Sequence, residues 1–147
     1  MTALAVFGGV AVLNSIFLAF LLFFHHSGLS RNKWLGLLFL SLSVRIGKSL
    51  LMLVFPNAPD SVPAIGLVGM VLTGPLFYFY IRAFYLNKNL DRTDFFHFLL
   101  AVVTSALLWL NSNTIVLVLY ILAAVQLWGY MLWVWLQWRN YKHEHRG

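Results

Sequence analysis

Two basic side chains, Arg45 and Lys48, stand inside an apolar stretch where charged residues are rare. Ser41, Arg45 and Lys48 are spaced four and three residues apart, so in a helix they share one face. If the stretch crosses a membrane, counting from Trp34 at 1.5 Å per residue places Arg45 about 16 Å deep. A cation at that depth costs at least about 2.5 kcal/mol, so we expect a compensating partner.

The sequence leaves the identity of that partner open. No predicted helix interior contains a carboxylate, because the four acidic residues fall in loops or the tail. One interpretation is a pocket for a small anionic or acyl ligand, with Arg45, Lys48, Ser41 and Tyr78 as candidate binding residues. The other is that both cations extend toward the outer headgroups and hydrogen-bond to neutral oxygens.

Other residues within the apolar stretches are candidates for movement or helix packing. Gly74-Pro75 interrupts the third stretch, and because proline removes a helical hydrogen bond, the pair predicts a packing kink or a hinge. Gln126 and Tyr130 share a face of the last stretch, and Asn14 lies in the first. We expect these polar groups to face other helices or another subunit, since facing lipid is costly.

Catalytic and metal-binding patterns are missing from the sequence. There is no cysteine, no phosphate-binding loop and no HExxH. His143 and His145 in the tail resemble a metal-binding pair but lack a third fixed ligand. We therefore predict no enzyme, no metal site and no cofactor.

The composition indicates a membrane protein. Of 147 residues, 61% are hydrophobic and 10% are charged, whereas soluble domains carry about 25% charged residues. So few polar side chains cannot cover a water-exposed surface, and so much hydrophobicity excludes disorder.

Five apolar stretches are near the length of roughly 20 residues that a bilayer core requires. We predict helices over residues 3–24, 34–55, 64–86, 95–110 and 114–138, with a cytoplasmic tail over 139–147. Because backbone groups in hydrocarbon must be satisfied within the segment, the fold class is an all-α, polytopic bundle forming a single domain over residues 1–147.

The basic residues predict the orientation, because lysine and arginine concentrate on the cytoplasmic side. Eight of the ten lysine and arginine residues lie in the loop after the first stretch, at the end of the third stretch and in the loop after it, or in the tail. They are Arg31, Lys33, Arg82, Lys88, Arg92, Arg139, Lys142 and Arg146. This puts the N-terminus outside and the C-terminus inside. It also explains the net charge of +6 as a topology signal that contacts anionic lipid headgroups, rather than as a nucleic-acid surface.

Four sequence runs carry a family resemblance. They are Asn32-Lys33-Trp34-Leu35-Gly36-Leu37, Val44-Arg45-Ile46-Gly47-Lys48-Ser49, Thr73-Gly74-Pro75-Leu76-Phe77-Tyr78-Phe79-Tyr80-Ile81-Arg82 and Asp94-Phe95-Phe96-His97-Phe98-Leu99. Over residues 30–140 the chain resembles the N-terminal membrane region of bacterial AraC-family transcriptional regulators. Leu100 stands where that family usually has proline. The family would add about two helices and a DNA-binding domain after residue 147, so DNA binding is not carried over.

The resemblance implies a sensory or anchoring module, excised from a longer protein or standing alone, in the bacterial inner membrane. It would transmit a ligand or the membrane state to a cytoplasmic output domain, with homo-oligomerisation as a further option. Two alternatives remain. Arg45 and Lys48 would suit a small oligomeric anion transporter or channel subunit. The polar face of Gln126 and Tyr130 would suit a structural partner subunit of a membrane complex.

Overall fold

Long apolar stretches bounded by turn residues form the helices of the chain. The computed structural model describes residues 3–25, 30–59, 61–85, 92–107 and 113–144. Its elements are α1 (Ala3–Phe24), α2 (Ser30–Val54), α3 (Ser61–Tyr85), a 3₁₀ helix η1 (Arg92–Phe98), α4 (Leu99–Leu107) and α5 (Asn113–Glu144). The all-α prediction is confirmed for these residues, with five α-helices.

Four of these helices are long and apolar enough to cross a membrane. The apolar spans are Ala3–Phe24, Arg31–Val54, Val62–Phe84 and Ile115–Arg139. Large apolar side chains cover the outside of the bundle, with Phe7, Phe24 and Trp128 each more than 70% exposed. Such a surface suits hydrocarbon rather than water.

Helix α3 lies at the centre of the bundle. Of its apolar span 56% is buried, compared with 6% of the span in α1. Helix α2 packs along one side of α3, α5 and α4 pack on other sides, and α1 packs along α2. The core contains residues of α3, α4 and α5, namely Leu67, Met70, Val71, Ala101, Leu119 and Ala123.

Helices α3 and α5 run parallel to each other. Near their starts Tyr120 hydrogen-bonds to Pro63, and in the middle Tyr130 packs against Gly74. Toward their ends Ile81 and Trp138 line a common groove. The chain between two parallel helices must return along the bundle.

The returning segment contains η1 and α4, where the sequence predicted one helix over residues 95–110. Asp94 pairs with Arg82 near the end of α3, and Ala101 reaches the core beside Leu67. Because a 3₁₀ helix rises about 2 Å per residue and an α-helix 1.5 Å, residues 92–107 extend over roughly 27 Å. The 3₁₀ helix therefore makes this short returning segment longer than an α-helix of the same number of residues would be.

Three helix ends also differ by several residues from the sequence prediction. Helix α2 begins at Ser30 rather than at residue 34. Helix α3 begins at Ser61, before Pro63, because a first-turn proline loses no helical hydrogen bond. Helix α5 continues to Glu144, through much of the predicted tail over 139–147.

Small residues allow α2 and α3 to approach closely, as is common between membrane helices. The Ser41 hydroxyl donates to the Gly69 carbonyl at 2.9 Å and lies 2.7 Å from the Thr73 hydroxyl. A Cβ atom added at Gly69 would lie 2.9 Å from the Ser41 carbonyl oxygen. The backbones of α2 and α3 therefore meet at Gly69.

We predict that Gly69→Ala destabilises the protein by about 1–3 kcal/mol, because the added methyl group forces two backbones apart. The free energy of unfolding in detergent micelles measures the effect. Gly47→Ala is the matched control, since no atom lies within 4 Å of a Cβ there. Equal stabilities of the two variants would contradict the close contact.

Candidate functional site

Lys48 joins three helices near one end of the bundle. Its ammonium lies 3.4 Å from the Tyr120 hydroxyl and 5.5 Å from the centre of the same ring. The Tyr120 hydroxyl in turn donates to the Pro63 carbonyl at 3.2 Å. We call Lys48, Tyr120 and Pro63 the Lys48 cluster, and the end of the bundle where they lie the Lys48 end. A partly buried cation is stabilised here by neutral oxygens and an aromatic face.

Arg45 does not join the Lys48 cluster. It is exposed on α2, one helical turn from Lys48. Among the described residues its guanidinium has no hydrogen bond or ion pair. Its carbonyl oxygen accepts a 3.5 Å bond from Ser49. The charge of Arg45 therefore faces the surroundings of the bundle.

A second polar group lies further along α3. Three aromatic rings surround the ring of Tyr78. The distances between ring centroids are 5.2 Å to His97, 5.9 Å to Tyr130 and 6.1 Å to Trp133. The His97 Nδ1 atom is 2.6 Å from the Tyr130 hydroxyl. This group brings together α3, η1 and α5.

Arg82 and Asp94 form an ion pair next to these rings. The guanidinium donates to the carboxylate at 2.5 Å, and the two side chains are 17% and 7% exposed. Removing both charges from water is costly, and their mutual attraction offsets that cost only while both partners are present. We call Tyr78, His97, Tyr130, Arg82 and Asp94 the Tyr78 cluster, and its end of the bundle the Arg82 end.

Asp94 and His97 belong to this cluster, although the sequence did not predict them as site residues. The prediction of Asp94 in a loop is wrong, because Asp94 lies within η1 and is 5% exposed. Side chains three residues apart in a 3₁₀ helix lie above one another, so Asp94 and His97 face α3 together.

The structure does not gather the four candidate ligand residues into one pocket. Ser41 is 5% exposed and bonded to α3. The methylenes of Lys48 lie against Gly66 of α3. Tyr78 lies about 18 Å from Gly66 along the axis of α3, at 1.5 Å per residue. The predicted polar face of α2 is therefore divided between helix packing, the Lys48 cluster and the exposed Arg45.

The predicted hinge and packing residues have distinct surroundings. Gly74 provides room for the Tyr130 ring, since a Cβ atom there would overlap it. Helix α3 continues through Pro75, so the role of this pair as a hinge stays a prediction. The Gln126 side-chain oxygen is buried without a hydrogen bond among the described residues. Asn14 is exposed on α1.

The chain was compared with protein families, curated proteins and solved structures. No protein family, no curated protein and no solved structure matches the chain. The geometry defines the class: an all-α bundle with four helices suited to cross a membrane and two polar clusters at different depths.

We predict that Asp94→Asn lowers the free energy of unfolding by about 3 kcal/mol, because it removes the Asp94 carboxylate that attracts the desolvated Arg82 charge. Unfolding of the purified protein in micelles measures the change. The double variant Arg82→Gln with Asp94→Asn should cost less than the sum of the two single variants. Strictly additive costs would show that the pair is not coupled.

Proposed function

We propose that this chain is a membrane-embedded sensory or anchoring module of a bacterial regulatory protein, located in the cytoplasmic membrane. The observation that carries the proposal is the continuity of α5. This helix has 32 residues, or about 48 Å at 1.5 Å per residue. It contacts both polar clusters and continues past the apolar span that ends at Arg139. One rigid element therefore links the Lys48 end of the bundle to the segment beyond the Arg82 end.

The proposed topology has five crossings, with the N-terminus outside and the C-terminus inside. The distribution of basic residues supports this orientation. The parallel arrangement of α3 and α5 supports an odd number of crossings, because residues 92–107 run back between them. In this topology the Lys48 cluster is near the outer surface, and α5 delivers its end to the cytoplasm.

Two of the runs that carry the family resemblance meet in the structure. Two of the four runs follow one another in the sequence, and Arg82 at the end of one pairs with Asp94 at the start of the next. Tyr78 and His97 of the same two runs are in ring contact. An output domain of the AraC kind would belong on the cytoplasmic side.

Transmission along α5 requires only a small free-energy difference between two packing arrangements. A ligand shifts such an equilibrium by its difference in affinity for the two arrangements. A tenfold shift takes about 1.4 kcal/mol, which is comparable to one or two net hydrogen bonds. The contact of Lys48 with Tyr120 is therefore of the right size to couple movement of α2 to α5.

The topology predicts which single cysteines react from outside the cell. The protein has no cysteine of its own, so one can be placed at the N-terminus, at Asn57 or at the C-terminus in separate variants. The first two should react with an impermeant thiol reagent in intact cells, and the third only after permeabilisation. Both termini on the same side would contradict five crossings.

Breaking the Lys48 cluster should move the end of α5. Spin labels on Lys33→Cys and Glu144→Cys report the distance between α2 and α5 at the Arg82 end. We expect Tyr120→Phe to shift this distance by about 2 Å, the scale of helix movements in signalling, because it removes the hydroxyl that Lys48 contacts.

Ser49→Ala is the control for this experiment. It removes a hydroxyl beside Lys48 whose hydrogen bond stays within α2. An unchanged distance in Tyr120→Phe would argue against transmission from the Lys48 cluster through α5.

A further inference from the structure

An apolar groove runs between α3 and α5 near the Arg82 end. It has a volume of about 410 Å³ and is lined by Phe77, Ile81, Met131, Val134, Trp135 and Trp138. It opens to the surroundings of the bundle rather than into the polar clusters. An open apolar groove within a membrane span is accessible to acyl chains.

A fixed positive charge stands beside this groove. The Arg139 guanidinium lies 5.4 Å from the centre of the Trp135 ring, and Trp135 is a lining residue. A cation–π contact of this kind restrains the guanidinium while leaving its donors available. Arg139 is exposed, so its charge is open to an approaching anion.

The depth of these groups matches the two parts of a phospholipid. Arg139 ends the apolar span of α5, which places it at the headgroup level, while Met131 and Val134 lie one to two turns deeper. Tryptophan and arginine near a span end are typical of this boundary. Basic groups between helices at such a level bind anionic headgroups.

We propose that the groove binds one acyl chain of an anionic phospholipid, whose phosphate is held by Arg139. A water-soluble phosphate would use the arginine but not the apolar groove, and an apolar partner helix would use the groove but not the arginine. The combination fits an anionic lipid in the leaflet at the Arg82 end. This inference requires that α3 and α5 span a bilayer, and it does not depend on a sensory role.

The test counts lipids that stay bound to the purified protein in native mass spectrometry, with phosphatidylglycerol and phosphatidylcholine of the same acyl chains. We expect preferential retention of phosphatidylglycerol. Arg139→Gln should weaken that binding about fivefold, the effect of one cation near a membrane surface, and Val134→Trp should weaken it by filling the groove.

Arg31→Gln is the matched control. Arg31 also lies over an aromatic ring, Phe84 at 5.9 Å, at the same end of the bundle, but it does not line the groove. Its binding should stay within twofold of the unchanged protein. Circular dichroism verifies that each variant is folded.

Three outcomes would overturn the proposal. Equal retention of the two lipids would remove the preference for an anion. Equal losses in Arg31→Gln and Arg139→Gln would indicate general charge attraction. A loss in Arg139→Gln with none in Val134→Trp would place the headgroup on Arg139 without a chain in the groove.

Discussion

In hydrocarbon a polar group without a partner is costly, and most partners in this bundle are provided by α3. The Gly69 carbonyl accepts from Ser41 of α2, and the Pro63 carbonyl accepts from Tyr120 of α5. Arg82 pairs with Asp94 of η1. Because α2, α5 and η1 each have a polar contact with α3, the central position of α3 follows from polar satisfaction as well as from apolar packing. Small residues at Gly66, Gly69 and Gly74 make these short distances accessible.

Much of the fold could be predicted because membrane helices are specified by length and hydrophobicity, which are local properties. The stretches predicted over residues 3–24 and 114–138 correspond to α1 and to most of α5. The region over 95–110 was harder, because its 3₁₀ start depends on contacts of Asp94 and His97 with other helices. No period in the sequence records that dependence.

The candidate site was less predictable, because a shared helix face does not define what the face contacts. Ser41, Arg45 and Lys48 share a side of α2, yet Ser41 is buried against α3 while Arg45 is exposed. The difference arises from the crossing of α2 over α3, which is a tertiary property. The pairing of Arg82 with Asp94 was missed for a related reason, since each residue read alone resembles a loop charge near a membrane surface.

In the proposed five-crossing topology α3 and α5 run parallel, so neither can enter the bilayer as the hairpin partner of the other. During synthesis α3 is complete before the return segment is made, and α5 follows only after that segment has been threaded across. In that topology the sidedness of α5 depends on residues 92–107, the shortest of the five proposed crossings. Asp94 can be drawn in by Arg82, which is already in place. In that topology the ion pair is an assembly contact, in addition to its role in the finished bundle.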